Sequence, residues 1–591
     1  MKFKAKKDFK FDKKIIEIAK ELKMSPITIN FLFSKGYNTV EKIKNLLSFD
    51  RSNLRSVDTY KDIEKFYDVL IASLKNHEEI TICGDYDCDG CMATVIWYRA
   101  LSKFKNSKIN YFINHRFKEG YGINVKSMER CLQEYPNTNL ILTCDNGIVA
   151  FDAVKYLQDK GLKVLITDHH IAKGDGELPN CPVIDEWRLD ENESLREAVC
   201  GAELSRRLVE GLYQRLGFAE KQSNFLRSLF SYSGIATISD CVSLGSANHF
   251  IVKYGLEQIE NNNNPNQIVF QILKNLLDLK EIDEQTIGFR IAPLVNAVSR
   301  IEGDITKALK LFTSDDANEI TSLVNDLITI NEKRQDLTKD DNNTCKKEVE
   351  EKYKNDSCLV IANPNFEEGI CGLSASFLVE NYNKPALVLT EVKENPGVYK
   401  GSARSITGVH IKECLDKCSN LLLGYGGHAG AAGFSLKAEN IDKFRKKMNE
   451  IVSKIDLSKE PVVEIDFLST ADEIDLKLIQ ELYSLAPFGQ DFERPTITVY
   501  GKVNDYMFMG KEKNHLSLHL QSINKPLLKV IYWNGVEEFK QMQNISSDKE
   551  AATKEIAVIG KWQISSFNGQ VYHEIIANRQ MFIEKEKIEL V

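Results

Sequence analysis

At 591 residues, with 43% hydrophobic and 27% charged residues, the chain is too long for a single core and has the composition of a soluble protein of three or four domains. No apolar run approaches the ~20 residues of a membrane span, and the charged start M-K-F-K-A-K-K-D-F-K leads into no apolar stretch of the kind a secretory signal carries. A net charge of -8 excludes a globally basic nucleic-acid binder, and thirteen cysteines, an odd number, argue for reduced thiols in the cytoplasm rather than a disulfide framework.

Residues 1–50 begin basic (Lys2, Lys4, Lys6, Lys7, Lys10, Lys13, Lys14) and then take helical spacing at Ile15, Ile18 and Leu22, and at Ile29 and Leu32 beyond Pro26. The basic start reads as a solvated, frayed terminus. From about 51 to 185 strand and helix alternate. Strands are expected at Ile80–Cys83, Ile109–Ile113, Leu140–Cys144, Lys163–Thr167 and Pro182–Ile184, with helices near 91–104, 125–135 and 149–160. Such units build a parallel sheet by crossovers, and in a parallel sheet working groups collect beyond the carboxyl ends of the strands. Asp85, Asp87 and Asp89 follow the first strand, Asp145 the third, and Asp168, His169 and His170 the fourth. Carboxylates that repel one another stay together only around positive charge. Oxygen donors with imidazole and no thiolate cage suit Mn²⁺ or Mg²⁺ better than structural zinc.

Cys88 and Cys91 form a C-x-x-C inside the first cluster, which admits a thioredoxin-like redox reading. The interleaved aspartates oppose thiolate formation there. Cys88 is read instead as a small residue beside the metal site, with oxidation sensitivity as its expected consequence.

Residues 186–310 are expected to be largely helical, and Ala317–Tyr353, free of Gly and Pro, to form one long helix bridging two lobes. A second lobe starts near 356, where S-C-L-V-I-A and P-A-L-V-L-T bracket a helix, Gly372–Tyr382. Next come G-S-A-R-S-I (Gly401–Ile406) and L-G-Y-G-G-H-A-G-A-A-G-F (Leu423–Phe434). So many glycines would be wasteful in a strand or helix interior; they suit backbone N–H groups approaching an anion, with His428 and Arg404 beside them. Beyond about 456, V-V-E-I-D-F, P-T-I-T-V-Y-G-K-V, H-L-S-L-H-L, L-L-K-V-I-Y-W and I-A-V-I-G-K-W suggest a small β-barrel. Tyr532, Trp533, Phe508 and Lys511 are its candidate single-strand contacts.

D-Y-D-C-D-G, T-C-D-N-G-I and I-T-D-H-H resemble, in order and spacing, the first three motifs of the DHH phosphoesterase superfamily, and G-I-A-T-I-S-D-C-V-S-L supplies the fourth at Asp240. R-I-A-P-L-V-N-A-V-S-R (Arg290–Arg300) and N-H-R-F-K-E-G-Y-G-I-N (Asn114–Asn124) are similar to stretches of its RecJ exonuclease branch. The resemblance implies an α/β fold: a parallel-sheet DHH domain over 51–315, a connecting helix over 316–355, a smaller DHH-associated lobe over 356–455, and a C-terminal OB-type barrel over 456–591, with 1–50 a separate helical segment. It also implies two Mn²⁺ or Mg²⁺ ions. Asp87 and Asp145 would hold one, with Asp85 completing that site, and Asp89, Asp145, His169 and Asp240 the other. His170 and Arg300 would stabilise developing charge, Asp168 would orient its neighbours, and Arg116, Ser402, Arg404, Gly426, Gly427 and His428 would grip substrate. The implied activity is 5′→3′ release of mononucleotides from single-stranded DNA in repair and recombination. The implied protein is a cytoplasmic monomer assisted by a single-strand-binding protein and a RecQ-type helicase. Two alternatives stand beside it: an oligoribonucleotide or cyclic-dinucleotide phosphodiesterase of the same superfamily, and a non-catalytic single-strand-binding scaffold. The chain departs from the RecJ pattern at Phe366-Glu367-Glu368-Gly369, where relatives tend to have Trp-His before the glycine.

Overall fold

The computed structural model describes residues 2–5, 12–172, 176–455, 462–465, 469–470, 476–521, 528–547, 550–567, 570–584 and 588–590. The chain forms two compact units. One comprises Arg51–Ser243 with Ala247–Leu457; the other comprises Met1–Asp50, Leu244–Ser246 and Ser458–Val591.

In the larger unit, β1 (Glu79–Gly84), β2 (Ile109–Ile113), β3 (Thr138–Thr143), β4 (Lys163–Thr167) and β5 (Val183–Ile184) form a wholly parallel sheet in the order β2-β1-β3-β4-β5. The strands read as apolar runs because both faces are covered. Ile80, Ile82, Leu140, Leu142 and Leu165 face one core, which includes Val95 and Trp97 of α1 (Cys88–Leu101), Leu208 of α2 (Gly201–Arg215) and Ile235 of α3 (Phe230–Ser239). The alternate positions Cys83, Ile141, Val164 and Ile166 face a second core with Met128, Val154 and Leu157, from helices Val125–Glu134 and Phe151–Asp159. Strand alternation thus fixes which residues meet which helix layer. Each strand leaves its following loop at the same edge of the sheet.

α4 (Ala292–Glu302) follows a π-helical turn, Ile287–Ile291. α5 (Ala317–Glu348) then runs 32 residues from an Asp316 cap that accepts from the N–H groups of Asn318 and Glu319. Ile320, Val324 and Leu327 pack into the first lobe's core, while Cys345, with Val349 just beyond, packs into the second lobe's. That second lobe is a five-stranded sheet of β6 (Leu359–Ala362), β7 (Ala386–Glu391), β8 (Val398–Arg404), β9 (Leu422–Gly427) and β10 (Ala431–Lys437), in the order β9-β10-β8-β7-β6. Only β6 and β7 pair in parallel.

In the smaller unit, seven strands between Ser469 and Glu584 form the barrel-type sheet around Val499, Leu516, Leu518, Val530, Val558 and Ile575. The helices Lys13–Leu22, Pro26–Ser34 and Val40–Leu47 belong to this unit. The Phe31 ring meets Phe492 edge-on at 5.7 Å, and Ser25 N–H donates to Glu481 at 2.7 Å. Two expectations are corrected here. Lys2–Ala5 is not frayed: it is the central strand of a parallel three-stranded sheet with Val462–Ile465 and Ile588–Leu590. The Val462–Ile465 run therefore lies outside the barrel sheet. Lys6, Lys7 and Lys10 of the basic start lie outside the described residues. No helix among the described residues is long and apolar enough to cross a membrane.

Candidate functional site

Three loops at the carboxyl edge of the parallel sheet bring the acidic residues together. After β1, the Asp87 side chain caps α1 by accepting from Gly90 N–H at 3.1 Å, and Asn296 on α4 accepts from Cys88 N–H at 2.9 Å. This hydrogen bonding holds Asp85, Asp87 and Asp89 on a short, rigid turn. After β3, Asp145 sits in the left-handed region at φ 63°, and Asn146 donates to the Cys83 and Cys144 carbonyls. After β4, Asp168 is a hub. It accepts from Ile148 N–H (2.9 Å), His169 N–H (2.8 Å) and His170 N–H (3.2 Å), and one of its oxygens lies 2.7 Å from His170 Nδ1.

The result is a compact donor set. His169 Nε2 lies 2.9 Å from Asp145 Oδ1, 3.5 Å from Asp89 Oδ2 and 3.9 Å from Asp240 Oδ2. Asp85, Asp87 and Asp145 bring one oxygen each within 4.8 Å of one another. Asp145 is shared between the two groups. The N-terminus of α2 orients Asp89, with Gly201 and Ala202 N–H donating to its two oxygens at 2.7 and 2.8 Å. Gly201 is required by close approach, since a Cβ there would stand 2.7 Å from the Asp145 Cβ.

The electrostatics of this set demand a cation. Burial, then Asp87, push the Asp85 carboxyl up; burial, then Asp89, Asp87 and Asp85, do the same to Asp145. Asp240 is pushed to about 8 by burial and by Asp89 and Asp87. Asp85 Oδ1 is buried without a hydrogen bond among the described residues, and Asp145 Oδ1 and His169 Nε2, buried and 2.9 Å apart, are not aligned to make one. Orphaned donors and acceptors of this kind are costly unless something is bound between them. Oxygen donors with one imidazole fit a hard divalent cation. Asp168 differs: although burial opposes it, His170 and the Ile148 N–H hold its carboxyl below the usual range. In return, and against burial, Asp168 raises His170 to about 9. Asp168 thus positions the histidines through Oδ1, while its Oδ2 is held by the Ile148 N–H.

Beside the carboxylates stand arginines. Arg300 on α4 is lowered to about 10 by burial and by the neighbouring charges of Arg116, Arg404 and Arg334. Its Nη1 donates to the Gly369 carbonyl at 3.2 Å. Arg404 on β8 is lowered by burial and by Arg116. Arg300 and Arg404, buried beside other guanidinium groups that lower their basicity, call for an anion. Arg334, on α5, was not singled out in the sequence, and its guanidinium donates to Asn331 Oδ1 at 3.2 and 2.8 Å. Tyr121 was also missed: its hydroxyl reaches His170 Nδ1 at 2.9 Å and donates to the Asp145 carbonyl at 3.3 Å.

Other expectations sort differently. Ser402 and Gly426 line a cavity together with Arg116. The glycines of Leu423–Phe434 stand mostly in paired strands β9 and β10 rather than in a phosphate-wrapping loop. Gly427, at φ 145°, begins the hairpin turn, and the exposed His428 donates its N–H to Ala431. The His428 ring makes no hydrogen bond to the carboxylate cluster among the described residues. Phe366 is core, whereas Glu367 and Glu368 pair with Lys393 and Lys400. Cys88 and Cys91 are buried, and burial pushes both thiols up, so neither has the character of a reactive thiolate. In the barrel, Phe508 and Tyr532 belong to the core, while Trp533 is 55% exposed and Lys511 is exposed.

Comparison with known proteins gives three family matches: the DHH family N-terminal domain over residues 79–235, the DHHA1 domain over 355–454 and the RecJ OB domain over 465–578. The single-stranded-DNA-specific exonuclease RecJ of Bacillus subtilis is 30% identical over 523 residues, covering 87% of this chain and 64% of that protein. The chain thus spans just under two thirds of that relative's length. The Haemophilus influenzae protein of the same name is 27% identical, covering 81% of this chain and 85% of its own length. Among solved structures, RecJ from Thermus thermophilus in complex with Mn²⁺ superposes with a TM-score of 0.80 at 24% identity, covering 100% of this chain and 80% of that one. A manganese-bound exonuclease RecJ gives 0.57 at 28% identity over 67% of this chain and 95% of its own.

Proposed function

The chain belongs to the RecJ family of DHH phosphoesterases, and from that premise we propose that it is a metal-dependent 5′→3′ exonuclease releasing mononucleotides from single-stranded DNA. One observation carries the reading: a buried carboxylate–imidazole cluster with orphaned atoms adjoins Arg300, whose basicity burial and the neighbouring Arg116, Arg404 and Arg334 lower. The first implies bound cations and the second bound phosphate. The relatives' single-strand specificity and the manganese of the related structures support the substrate and the metal.

Asp85, Asp87 and Asp145 would hold one Mn²⁺ or Mg²⁺, and Asp89, Asp145, His169 and Asp240 a second. Such ions supply Lewis-acid polarisation of a phosphoryl oxygen and a nucleophile at neutral pH. The chain's own groups do the rest. His170, whose basicity Asp168 raises, would offer a donor to the reacting phosphate. Arg300 remains charged at neutral pH and, with Arg116, Arg334 and Arg404, grips phosphate oxygens. Gly201 and Ala202 N–H keep Asp89 aimed at His169.

The same reading extends to its setting: a cytoplasmic monomer in repair and recombination, served by a single-strand-binding protein and a RecQ-type helicase. Its thirteen free thiols support a reducing compartment. The test is a Mn²⁺-dependent digest of a DNA oligomer labelled separately at each end, run beside Asp145→Ala. Early mononucleotide release from the 5′ end, absent in the variant, is expected. Intact DNA with rapid cleavage of dinucleotides would instead assign the chain to the small-nucleotide phosphodiesterases. Binding without hydrolysis of either would make it a scaffold.

A further inference from the structure

The parallel sheet ends at β5, and Asp185 is the residue that follows it. It is a strand-end carboxylate like those of the cluster, yet it belongs to none of the donor groups that could hold a cation among the described residues. Register sets its place. Ile166 pairs with Val183 and Thr167 with Ile184, and the ladder runs one step further, where Asp168 N–H donates to the Ile184 carbonyl at 3.0 Å. Asp185 therefore stands beside Asp168. Ile166 and Val183 both face the second core, and a side chain two positions on returns to the same face, so the two carboxyls leave the sheet on one side.

Burial makes the pair unusual. Asp185 is fully buried, and Asp168 nearly so. Asp185 Oδ1 accepts from Trp187 N–H at 2.6 Å, whereas Oδ2 is buried with no hydrogen-bond partner among the described residues. Asp168 is better served. Its Oδ1 meets the His169 and His170 N–H groups and the His170 ring, and its Oδ2 accepts from Ile148 N–H.

Two buried carboxyls side by side do not both stay ionised; one keeps its charge and the other keeps a proton. His170 settles which. It holds Asp168 below the usual range, while burial and then Asp168 push Asp185 up to about 9. Glu186 adds to that push, and the Trp187 N–H and His170 oppose it. A proton on Oδ2 makes that oxygen a donor, and the Asp168 carboxylate is the acceptor that register sets beside it. Keeping this proton costs the fold: at neutral pH the unfolded chain, at the ordinary 3.8, does not hold it. A buried group so perturbed beside a cluster of working residues points to the site rather than to stability.

We propose that Asp185 is a positioning residue: its carboxyl donates from Oδ2 to Asp168 and fixes the carboxylate that aims His169 and His170. The line continues from Asp168 through His170 Nδ1 to the Tyr121 hydroxyl, 2.9 Å away. Asp185 acts only through these neighbours, in the reaction of the exonuclease reading, on which its role rests.

The test sets Asp185→Ala beside Asp185→Asn. Folded Asp185→Ala is expected to lose about tenfold in kcat on single-stranded DNA with KM unchanged, as loss of one hydrogen bond to a charged group implies. An amide has the acid's shape and donates at every pH, so Asp185→Asn is expected to restore kcat to within about twofold of wild type. A merely structural side chain would spare the kcat of the folded enzyme, so Asp185→Ala with wild-type kcat overturns the proposal. Asp185→Asn as slow as the alanine variant also overturns it, and answers even where alanine does not fold. Melting curves give a readout apart from activity. Asparagine needs no proton to fold, so Asp185→Asn should melt above wild type at neutral pH, by a margin that narrows as pH falls toward 3.8. A variant that melts no higher than wild type overturns the proposal. Wild type that cuts no single-stranded DNA refutes the exonuclease reading, and the melting curves still decide whether Asp185 holds the proton it is said to donate.

Discussion

Arg334 is half-buried on α5, bonded to Asn331 and close enough to Arg300 to weaken its hold on a proton. If it takes a phosphate oxygen, Arg334→Gln should raise KM for single-stranded DNA about tenfold, as loss of one charge-assisted hydrogen bond implies. The slope of log KM against log salt should fall by about 0.7, the counterion share of one contact on a single strand. An unchanged slope from a salt titration would remove Arg334 from the substrate path. Asp85, Asp87, Asp89, Asp145, Asp168 and His169 could be grouped from the sequence because each lies just beyond a strand-like apolar run, and a strand end in a parallel sheet is where such groups meet; Asp240 came only from the resemblance, since it ends the helix α3 rather than a strand. Arg334 was not legible, because a charged helix reads as a solvated face. Its one local signal is that Ile330, Asn331, Leu337 and Thr338 leave it without an acidic partner one turn away. Tyr121 gave less, since a tyrosine in a glycine-flanked loop says nothing of the imidazole it will meet.

The helix α2 shows how an element far from the motifs serves them. Its first two N–H groups hold Asp89, and in the same turn Glu203 is buried between Arg206 and Arg207 while accepting from the Ser233 hydroxyl at 2.6 Å. Burial alone would raise the Glu203 carboxyl, but the two arginines hold it at about 2, below its ordinary 4.5. A carboxylate depressed on folding contributes stability that is complete above about pH 4.5 and disappears as pH falls toward 2. Glu203→Gln should therefore cost about 3–5 kcal/mol at pH 7, the cost of breaking a buried ion pair. Urea unfolding of both proteins should show the gap closing between pH 4.5 and 2; a gap independent of pH would sink the assignment. At this scale the four longer strands of the parallel sheet and the long helix were readable from uninterrupted apolar runs and sustained helical spacing. The pairing of Lys2–Ala5 with Val462–Ile465 was not, because a partner some 460 positions away leaves no local pattern. The strands β9 and β10 misled for a physical reason: glycine usually signals a turn, and here most of the run stands in paired strands.

Two units with separate cores predict two calorimetric transitions, of which only one responds to metal. Mn²⁺ at a hundredfold its Kd should stabilise the unit that carries Asp145 and His169 by about 2.7 kcal/mol and raise that transition alone. A shift of both transitions, or of neither, would contradict the division or the metal site. The whole-molecule architecture was only partly legible, since composition and length announce several cores but not that residues 12–50 form one compact unit with the barrel. That sharing has a consequence for the ribosome. The three helices of residues 12–50 emerge long before Phe492 and Glu481, against which Phe31 and Ser25 rest and which follow only after the intervening unit has been translated. At 5–20 residues per second, the wait is about 20–90 s. During that interval the nascent helices carry uncovered apolar faces while the middle of the chain completes its own core, so a segment made early is among the last to find its place.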